Sequence, residues 1–459
     1  MLDRRHFNIG FASLAFAGVG SCTTTPRAAP GSIAQGYGPL QPDPRGLLDL
    51  PRGFSYRIIS SVGEPMNDGL VVPDRADGMG SFPLDRDRTI LVRNHELRPR
   101  DMDTGPFAHG VKPSAPSFDR IGEQPLPGGT TTLVYNQRTG RVESQHLSLV
   151  GTIRNCAGGI TPWGSWLTCE EDVSRAGANN GQAQDHGWVF EVPARGRGLT
   201  DPMPLKALGR FNHEAAAVDP RTGIVYLTED REDGLFYRFI PNVKGQLARG
   251  GRLQALAGFQ TTDAADTRNW SAGTFPVGTW RSAHWIDMDN VESPEDDLRK
   301  RGHSRGGLLF ARGEGIWYGG NAKRGEFFFT CTSGGAAKLG QVMRYRPSRF
   351  EGQQGEASEP GRLQNFVEST STEMLNYGDN ITVTPFGHLI VCEDQYTDVV
   401  TNHLRGITPE GKVYPFALLH ENTELAGACF SGEGSVMFVN IYSPAKTVAI
   451  TGPWKSFRD

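Results

Sequence analysis

The sequence predicts an all-β protein with the architecture of a six-bladed β-propeller. It contains 58 glycines and 30 prolines in 459 residues, a content that indicates many tight turns rather than long helices. A turn followed by a short strand-forming run recurs six times along the chain. The recurring runs end in polar or acidic residues, which a propeller would gather at one mouth of its central channel.

The six recurring segments share a turn with Gly or Asp, a short strand-forming run and a polar end. They cover residues 85–96, 161–172, 220–233, 322–335, 384–395 and 432–444. The spacing between them is irregular, but each interval is long enough for a four-stranded sheet. A β-sandwich with insertions is the alternative, and it does not explain the shared polar ends. Helical periodicity is scarce, and residues 293–304 are the best candidate for a surface helix.

Residues 1–22 have the features of an export signal. The Arg4-Arg5 pair precedes an apolar stretch at residues 9–19, which is too short to span a bilayer as a stable helix. The pattern resembles a twin-arginine signal, and an ordinary secretory signal is the alternative. Residues 19–22 resemble a lipobox, so Cys22 is either a lipid anchor or lies close to a cleavage site. We therefore expect a periplasmic or envelope-anchored protein that the export machinery transports.

Composition divides the rest of the chain into two parts. Residues 23–45 are rich in Thr, Pro, Ala and Gly and are predicted to form a flexible tether. Residues 46–459 are predicted to form a single propeller domain that acts as a monomer. The formal net charge of −4 and the lack of a recurring Lys/Arg run argue against a nucleic-acid partner.

Cysteine usage and missing motifs exclude several classes of protein. Of the 6 cysteines, those that follow Cys22 are odd in number and include no CxxC pair, which argues against a full disulfide framework and a zinc ribbon. At least one thiol must therefore be buried or bound to a ligand. The sequence has no Gly-rich phosphate loop, GxSxG elbow or HExxH pair, so nucleotide hydrolysis, serine esterase and zincin chemistry lack support.

Acidic residues at the strand ends predict a metal site in the channel. Clustered carboxylates raise one another's pKa unless a cation neutralises them. Their oxygens suit calcium, magnesium, manganese or ferric iron. Any single one of them could instead be a solvated turn residue. The candidates are Glu96, Glu170, Glu171, Glu214, Glu229, Asp230, Glu314, Asp379, Glu393, Asp394 and Glu424.

Cys156 and Arg312 are the other two candidates for the site. Cys156 precedes a Gly-Gly pair that permits close backbone approach, so we expect it to bind metal, although a small buried residue is the alternative. Arg312 stands two residues before Glu314, so its guanidinium could hold a phosphate oxygen while the carboxylate binds metal. A salt-bridged surface turn is the alternative for this pair.

The remaining cysteines and two histidines are expected to have supporting roles. His95 and His213 each stand between an Asn and a Glu, and we favour a role in orienting ligands rather than binding metal. The other cysteines lie within or beside apolar strand runs and are expected to be buried; they are Cys169, Cys331, Cys392 and Cys429.

Several longer segments resemble the PhoX family of bacterial alkaline phosphatases, over roughly residues 46–459. They are DGMGSF (77–82), LVRNHE (91–96), GTIRNCAGGITPWGSWLTCEED (151–172), GRFNHEAA (209–216), RGEG (312–315), FFTCTSGG (328–335), DNITVTPFG (379–387) and ELAGACFS (424–431). A match as long as the one around Cys156 is far more specific than a triplet motif. The resemblance implies a six-bladed propeller, twin-arginine export and a ferric iron and calcium cluster that hydrolyses phosphate esters.

Carried over by motif, the resemblance also implies roles for individual residues. Arg312 is the implied phosphate clamp, and one of Glu170 and Glu171 is an implied ligand. The other implied metal ligands are Cys156, Glu214, Glu314, Asp379 and Glu424. The chain departs from many relatives by lacking a Pro between the charged residues of RGEG and by being shorter after Asp379. These departures concern the substrate lid and the full set of calcium sites that the resemblance implies.

Two other functions remain open from the sequence. A calcium-dependent lactonase or other esterase also gathers acids around one cation on a propeller. A non-catalytic surface binding module would use the metal only to hold its blades together. The presence of iron would distinguish a phosphatase that acts on a small phosphate ester from the lactonase. A requirement of activity for Arg312 would distinguish it from the binding module.

Overall fold

The computed structural model describes residues 32–110, 116–177, 180–258, 266–320, 325–395 and 401–457. The predicted export signal, Cys22 and residues 23–31 of the predicted tether lie outside these ranges. Within them, no helix has the length and apolar character that a membrane span requires.

Strands are the main regular element of the described residues, which also contain one short α-helix. The first fourteen strands are β1 (Leu40–Gln41), β2 (Leu48–Pro51), β3 (Ser55–Ser61), β4 (Ala76–Pro83), β5 (Arg88–His95), β6 (Arg120–Ile121), β7 (Gln124–Pro125), β8 (Gly128–Asn136), β9 (Arg141–Thr152), β10 (Asn155–Ile160), β11 (Ser165–Glu170), β12 (Val189–Pro193), β13 (His213–Val218) and β14 (Val225–Glu229). The next are β15 (Phe236–Pro241), β16 (Gly251–Ala257), β17 (Trp280–Asp287), β18 (Gly313–Tyr318), β19 (Phe327–Cys331), β20 (Gln341–Arg346), β21 (Gly361–Glu368), β22 (Gly378–Val383), β23 (Leu389–Glu393), β24 (His403–Ile407), β25 (Val413–Leu419), β26 (Leu425–Phe430), β27 (Val436–Ile441) and β28 (Lys446–Thr451).

Short helices connect some of the strands. The α-helix α1 (Leu298–Ser304) forms in the second half of the segment predicted to be a surface helix. Short 3₁₀-helices occur at Pro99–Thr104, Lys206–Leu208, Leu247–Arg249, Glu356–Ser358 and Trp454–Ser456. The prediction of an all-β chain is confirmed.

All strand pairs are antiparallel, and most follow the order of the chain. The sheets are β4-β5-β8-β9, β10-β11-β12, β13-β14-β15-β16-β17-β21-β20-β19-β18, β1-β2-β25-β24-β23-β22, β26-β27-β28-β3 and β6-β7. The nine-stranded sheet consists of two meanders that β17 joins through pairs with β16 and β21. Apolar side chains fill the space between adjacent sheets, as in a propeller.

Six strands surround the central channel. These inner strands are β4, β10, β13, β18, β22 and β26. Each one packs against the next in chain order, and β26 packs against β4, so the inner strands form a closed ring. The strand that pairs with each inner strand in its sheet is called the second strand, and the six second strands are β5, β11, β14, β19, β23 and β27.

The two ends of the chain hold the ring closed. Strand β3, close to the amino end of the described chain, pairs along its whole length with β28 near the carboxyl end. This pairing supplies the fourth strand of the last sheet from the beginning of the chain. The arrangement confirms the propeller-like fold that the repeated strand ends predict.

The segment from residue 32 to residue 45 differs from the flexible tether that its composition predicts. Ala34 donates a backbone hydrogen bond of 2.8 Å to the carbonyl oxygen of Val413, and the Tyr37 hydroxyl donates one of 3.0 Å to the carbonyl oxygen of Trp454. The Tyr37 ring also makes edge contacts with Phe54 and Phe416. A single aromatic residue therefore anchors a segment that is otherwise poor in apolar surface.

Close packing between neighbouring inner strands explains why glycine occurs in the NCAGG segment at residues 155–159. A Cβ atom added to Gly159 on β10 would lie 1.9 Å from the carbonyl oxygen of Ala216 on β13. The inner strands can approach this closely only because Gly159 has no side chain.

The substitution Gly159→Ala should therefore destabilise the protein. The added methyl group meets backbone rather than a flexible side chain, so we expect the free energy of unfolding to fall by about 2 kcal/mol or more. Urea denaturation measures this change. The matched substitution Gly198→Ala, whose Cβ would meet nothing within 4 Å, should leave stability nearly unchanged. Equal effects of the two substitutions would contradict the close approach of β10 and β13.

Candidate metal centre

Three side-chain positions recur at one end of the inner strands. The entry residue immediately precedes an inner strand, the inward residue is the second residue of that strand, and the exit residue immediately follows the second strand. The entry residues are Arg75, Arg154, Asn212, Arg312, Tyr377 and Glu424. The inward residues are Asp77, Cys156, Glu214, Glu314, Asp379 and Ala426. The exit residues are Glu96, Glu171, Asp230, Thr332, Asp394 and Tyr442.

One backbone hydrogen bond joins the entry and exit residues in all six repeats. The exit N–H donates to the entry carbonyl oxygen at 2.9 Å to 3.2 Å, for example from Glu171 to Arg154 and from Thr332 to Arg312. Just after this bond the register of the inner strand shifts by one residue, which is a β-bulge. A bulge bends the strand and changes the direction of a side chain. The inward side chains of different sheets consequently come close to one another.

The entry residues have unusual backbone conformations. Four of them, none a glycine, have positive φ: Arg75 at 53°, Arg154 at 47°, Arg312 at 56° and Tyr377 at 54°. Such conformations cost on the order of 1 kcal/mol each and concentrate at functional sites. Their recurrence at one mouth of the channel identifies this mouth as the candidate site.

Three groups of side chains at this mouth have the spacing of metal ligands. In each group, one possible ligand atom per residue lies within 4.8 Å of the others. The groups are Glu96–Cys156–Glu171, Glu214–Glu314–Asp379 and Asp379–Asp394–Glu424. Asp379 belongs to the last two groups and joins them. The Cys156 Sγ also lies 3.6 Å from Asp77 Oδ2, which adds Asp77 to the site.

The structure separates Glu171 from Glu170, which the sequence leaves as alternatives. Glu171 belongs to the first group, whereas Glu170 lies outside all three groups. The Glu170 carboxylate accepts hydrogen bonds from the backbone of Ile153 at 2.9 Å and Gly187 at 3.0 Å, and it lies 2.6 Å from His186 Nδ1. The prediction of Glu170 as a ligand is therefore corrected: successive strand residues face opposite sides, so only one of the two reaches the centre.

The same alternation applies to two other acidic candidates. Glu229 accepts hydrogen bonds from the Leu235 N–H at 3.1 Å and the Tyr237 hydroxyl at 2.9 Å. Glu393 accepts one from Arg405 Nε at 2.8 Å and one from the backbone of His403 at 2.9 Å. Both stabilise their own sheets, and the exit residues that follow them reach the channel mouth instead.

Arg312, the predicted phosphate clamp, lies at the edge of the second group. Its Nε and Nη2 atoms donate to the two Asp230 oxygens at 2.7 Å and 3.0 Å, and Nη2 also donates to Glu314 Oε1 at 2.9 Å. Its side chain is 23% exposed. Two carboxylates thus orient the guanidinium group beside the channel mouth, where solvent reaches it.

Arg154, which the sequence analysis does not single out, lies in the first group. Its Nε donates to Glu96 Oε1 at 2.6 Å, and its Nη2 donates to Glu171 Oε2. The second oxygen of Glu96 accepts a hydrogen bond from the hydroxyl of Tyr442, which in turn lies 3.0 Å from Arg75 Nη1. Arginine thus contacts carboxylates at two places around the centre.

Burial and mutual repulsion raise the pKa of the central carboxyl groups. Burial is the main cause, and neighbouring carboxylates add to it, for Asp77, Glu171, Glu214, Glu314 and Glu424. The same causes raise the pKa of Asp379 to about 7. Burial, followed by Asp77 and Glu214, also raises the pKa of the Cys156 thiol. These groups become stably ionised together only if a cation binds among them.

Unsatisfied oxygens show where cations would fit. Neither carboxylate oxygen of Glu214, which is fully buried, has a hydrogen-bond partner among the described residues. The Oδ1 atom of Asp77 also lacks one within these ranges. A buried carboxylate without donors is costly, whereas metal coordination would satisfy it. Carboxylate oxygens with one cysteine sulfur form a donor set suited to metal ions.

The two histidines beside the site have structural contacts. His95 lies 2.9 Å from the Asp74 carbonyl oxygen through Nδ1 and 2.9 Å from Thr131 Oγ1 through Nε2. His213 stacks on Phe211, with ring centroids 3.6 Å apart, and its Nε2 lies 2.9 Å from the Gly209 carbonyl oxygen. These contacts fix the strand ends that carry Glu96 and Glu214.

Three contributors to the site were missed by the sequence analysis. Asp77 opens the DGMGSF segment, and Arg154 lies in the same segment as Cys156, so both had a signal in a quoted motif. Tyr442 had none, because an aromatic residue at a strand end is typical of packing rather than of a metal site. The other four described cysteines, Cys169, Cys331, Cys392 and Cys429, are buried and form no disulfide.

Comparison with known proteins relates this geometry to one family. The family model described as Alkaline phosphatase PhoX matches residues 35–445. No curated protein matches the sequence. Among solved structures, Pseudomonas fluorescens PhoX in complex with vanadate, a transition state analogue, is 18% identical, with a TM-score of 0.67, and the alignment covers 90% of this chain and 97% of that one. This similarity shows that the chain shares the β-propeller fold.

A second solved structure resembles the chain less. The gluconolactonase XC5397 from Xanthomonas campestris is 10% identical, with a TM-score of 0.40, over 86% of this chain and 98% of the other chain.

The contact between His186 and two carboxylates should make stability depend on pH. Burial lowers the pKa of His186, but Glu170 and Asp119 outweigh it and raise the pKa to about 9. Because the pKa is higher in the folded chain than in the unfolded chain, protonated His186 stabilises the fold below a pH of about 6.5, and this contribution is lost as the pH rises through about 9.

Unfolding measurements on His186→Gln test this interaction. We expect the difference in unfolding free energy between wild type and His186→Gln to shrink by about 3 kcal/mol between a pH of about 6.5 and about 10. His146→Gln is the control, because burial lowers the pKa of half-buried His146 and no such loss should occur in this range. A difference that stays constant for His186→Gln would contradict the ion pairs.

Proposed function

The chain belongs to the PhoX family of alkaline phosphatases, and from this premise we propose that it hydrolyses phosphate esters at an Fe(III) and Ca²⁺ centre at the mouth of the channel. Family membership makes the chain a metal-dependent phosphatase. The observation that carries the more detailed proposal is the position of Arg312 beside Glu314, which groups with Glu214, a buried carboxylate whose oxygens lack hydrogen-bond donors among the described residues.

We also propose that the chain forms a six-bladed propeller with the metal centre on its axis. The closed ring of six inner strands and the six repeats of the entry, inward and exit positions support this arrangement. Each repeat would be one blade, and the pairing of β3 with β28 would close the last blade. Side chains that are distant in sequence would then meet on the axis.

The chemistry of the side chains suggests how the two metals divide between the groups. Cys156 is the sulfur ligand of the site, so we assign Fe(III) to the side that it forms with Asp77 and Glu214. The oxygen-only groups suit Ca²⁺ and comprise Glu314, Asp379, Asp394 and Glu424 together with Glu214. When bound, the ions would offset charge on the phosphate and activate water for attack on phosphorus.

The residues of the chain would bind and orient the substrate. Arg312 would place its guanidinium charge beside the oxygens of a phosphate monoester and donate a charge-assisted hydrogen bond to it. Asp230 and Glu314 hold its side chain in place, so the clamp is formed before the substrate arrives. The vanadate bound by the Pseudomonas fluorescens protein supports a phosphate ester as the substrate class.

The location of the protein is a further proposal. The Arg4-Arg5 pair and the apolar stretch that follows favour export by the twin-arginine route to the periplasm or the cell envelope, with Cys22 as a possible site of lipid attachment. Export and a monomeric state are proposals that fractionation of cells producing the full chain and the mass of the purified protein would test.

Substitution of Arg312 tests the phosphatase assignment. We expect Arg312→Ala to lower turnover of a chromogenic phosphomonoester at alkaline pH about a thousandfold, because the guanidinium group no longer offsets charge on the phosphate. Arg301→Ala is a matched control, since Arg301 also contacts two carboxylates, Asp297 and Asp289, but these lie outside the three groups. Equal activity of Arg312→Ala and wild type would overturn the role of Arg312 and favour a binding module.

Elemental analysis tests the composition of the centre. We expect the purified wild type to contain both iron and calcium, and Cys156→Ser to lose iron at least about tenfold together with activity, because a thiolate ligand is removed. Cys429→Ser, which changes another buried cysteine outside the three groups, should retain iron. Calcium without iron, together with lactone hydrolysis, would favour a lactonase instead.

A further inference from the structure

The entry residues link neighbouring repeats around the channel mouth. Four of them form a side-chain hydrogen bond to the exit residue of the preceding repeat, as in that of 2.6 Å from Arg154 to Glu96 and that of 2.7 Å from Arg312 to Asp230. The Asn212 side chain likewise donates to Glu171 at 3.3 Å. The link also joins the last repeat to the first, because Arg75 reaches the hydroxyl of Tyr442.

The sixth repeat has the opposite chemistry at the same position. Its entry residue, Glu424, forms a ligand group with the preceding exit residue, Asp394. Both are carboxylates, and neither can donate a hydrogen bond when ionised. Where the entry residue is Arg or Asn, a side-chain hydrogen bond joins neighbouring repeats. At Glu424 the two ionised carboxylates cannot form such a bond, so a cation is needed to join them.

The first group is saturated with hydrogen bonds from the chain. Both oxygens of Glu96 accept one, from Arg154 and from Tyr442. Both oxygens of Glu171 also accept one, from Arg154 and from Asn212. Glu214 is the contrast, since neither of its oxygens has a partner among the described residues.

The guanidinium group of Arg154 supplies the positive charge at this place. Its three nitrogens all donate hydrogen bonds: Nε to Glu96, Nη2 to the Glu171 carboxylate, and Nη1 to the Glu171 carbonyl oxygen at 2.9 Å. Arg154 is only 23% exposed, and Glu96 and Glu171 are 7% exposed as side chains. A divalent ion placed between the same carboxylates would be repelled by the guanidinium group at short range in a poorly solvated site.

We propose that Arg154 is a built-in cation that takes the place of a metal ion at the Glu96–Cys156–Glu171 group, an inference that rests on the metal centre of the proposed function. The metal ions then bind only on the side formed by Asp77, Glu214, Glu314, Asp379, Asp394 and Glu424. Cys156 binds metal on its Asp77 side, and Glu171 orients Arg154 rather than binding an ion. The residue at the entry position thus determines whether the gap to the preceding repeat is bridged by the chain or by a metal ion.

The metal content of two isosteric variants tests this proposal. Because Glu96 pairs with Arg154 and Tyr442, Glu96→Gln should contain as many metal ions per chain as the wild type. Asp394→Asn is the matched control at the same position of another repeat, and it should lose one ion per chain. Elemental analysis of the folded proteins after dialysis gives both numbers. Loss of an ion from Glu96→Gln would overturn the proposal.

A variant that should gain an ion provides an independent test. Arg154→Gln removes the internal cation and leaves the two acids beside Cys156, so we expect one additional calcium ion per chain during titration with calcium chloride. Arg154→Lys keeps the charge and should gain none. Arg75→Gln should also gain none, because Arg75 contacts the Tyr442 hydroxyl and only one carboxylate, that of Asp101. No gain by a folded Arg154→Gln protein would contradict the proposal.

The outcomes distinguish this proposal from the proposed function. Wild-type protein purified without any metal would overturn the proposed centre itself. Wild-type protein with iron and calcium, combined with loss of an ion from Glu96→Gln, would overturn only the role of Arg154. If Arg154→Gln fails to fold, as judged by circular dichroism, the comparison of Glu96→Gln with Asp394→Asn decides the question.

Discussion

The rest of the structure depends on the hydrogen bond from the exit N–H to the entry carbonyl oxygen. This bond joins the start of each inner strand to the end of its second strand, and the β-bulge that follows directs the inward side chain towards the channel. Three side chains per repeat are thereby held at one mouth by regular strands rather than by long loops. Sites carried on regular elements are positioned more accurately than sites carried on loops, which suits the proposed centre of several ions.

The same construction creates the main energetic problem of the fold. Burying several carboxylates close together costs several kcal/mol for each charge that remains uncompensated. The chain answers with arginines at some entry positions, and elsewhere it leaves carboxylate oxygens without donors among the described residues. The negative charge is therefore balanced separately in each repeat. At Arg154 an arginine of the chain balances it, whereas at Glu424 a bound cation would do so.

The sequence predicted the fold class and most of the centre because the repeat contains both a hydrophobic run and its polar end. It could not decide between Glu170 and Glu171, because neighbouring residues of a strand face opposite sides of the sheet. If the strand ended one residue earlier or later, the other glutamate would face the channel. It also missed Arg154, whose role depends on a contact with Glu96 of the preceding repeat. The sequence of one segment does not show which residues of other segments it contacts. For the same reason, it does not predict the contacts of Tyr37 with aromatic rings that are distant in sequence.

The topology constrains when the centre can assemble. Asp77 lies in the first repeat and Glu424 in the last, and they belong to one site only when the ring of inner strands is closed. Closure in turn requires β3 to pair with β28, so nearly the whole chain must fold before the metal ligands meet. A partly folded chain would hold the ions weakly, because its ligands would not yet be preorganised. Export of the folded protein, as the twin-arginine pattern of Arg4 and Arg5 predicts, is therefore the route most compatible with loading the centre before transport.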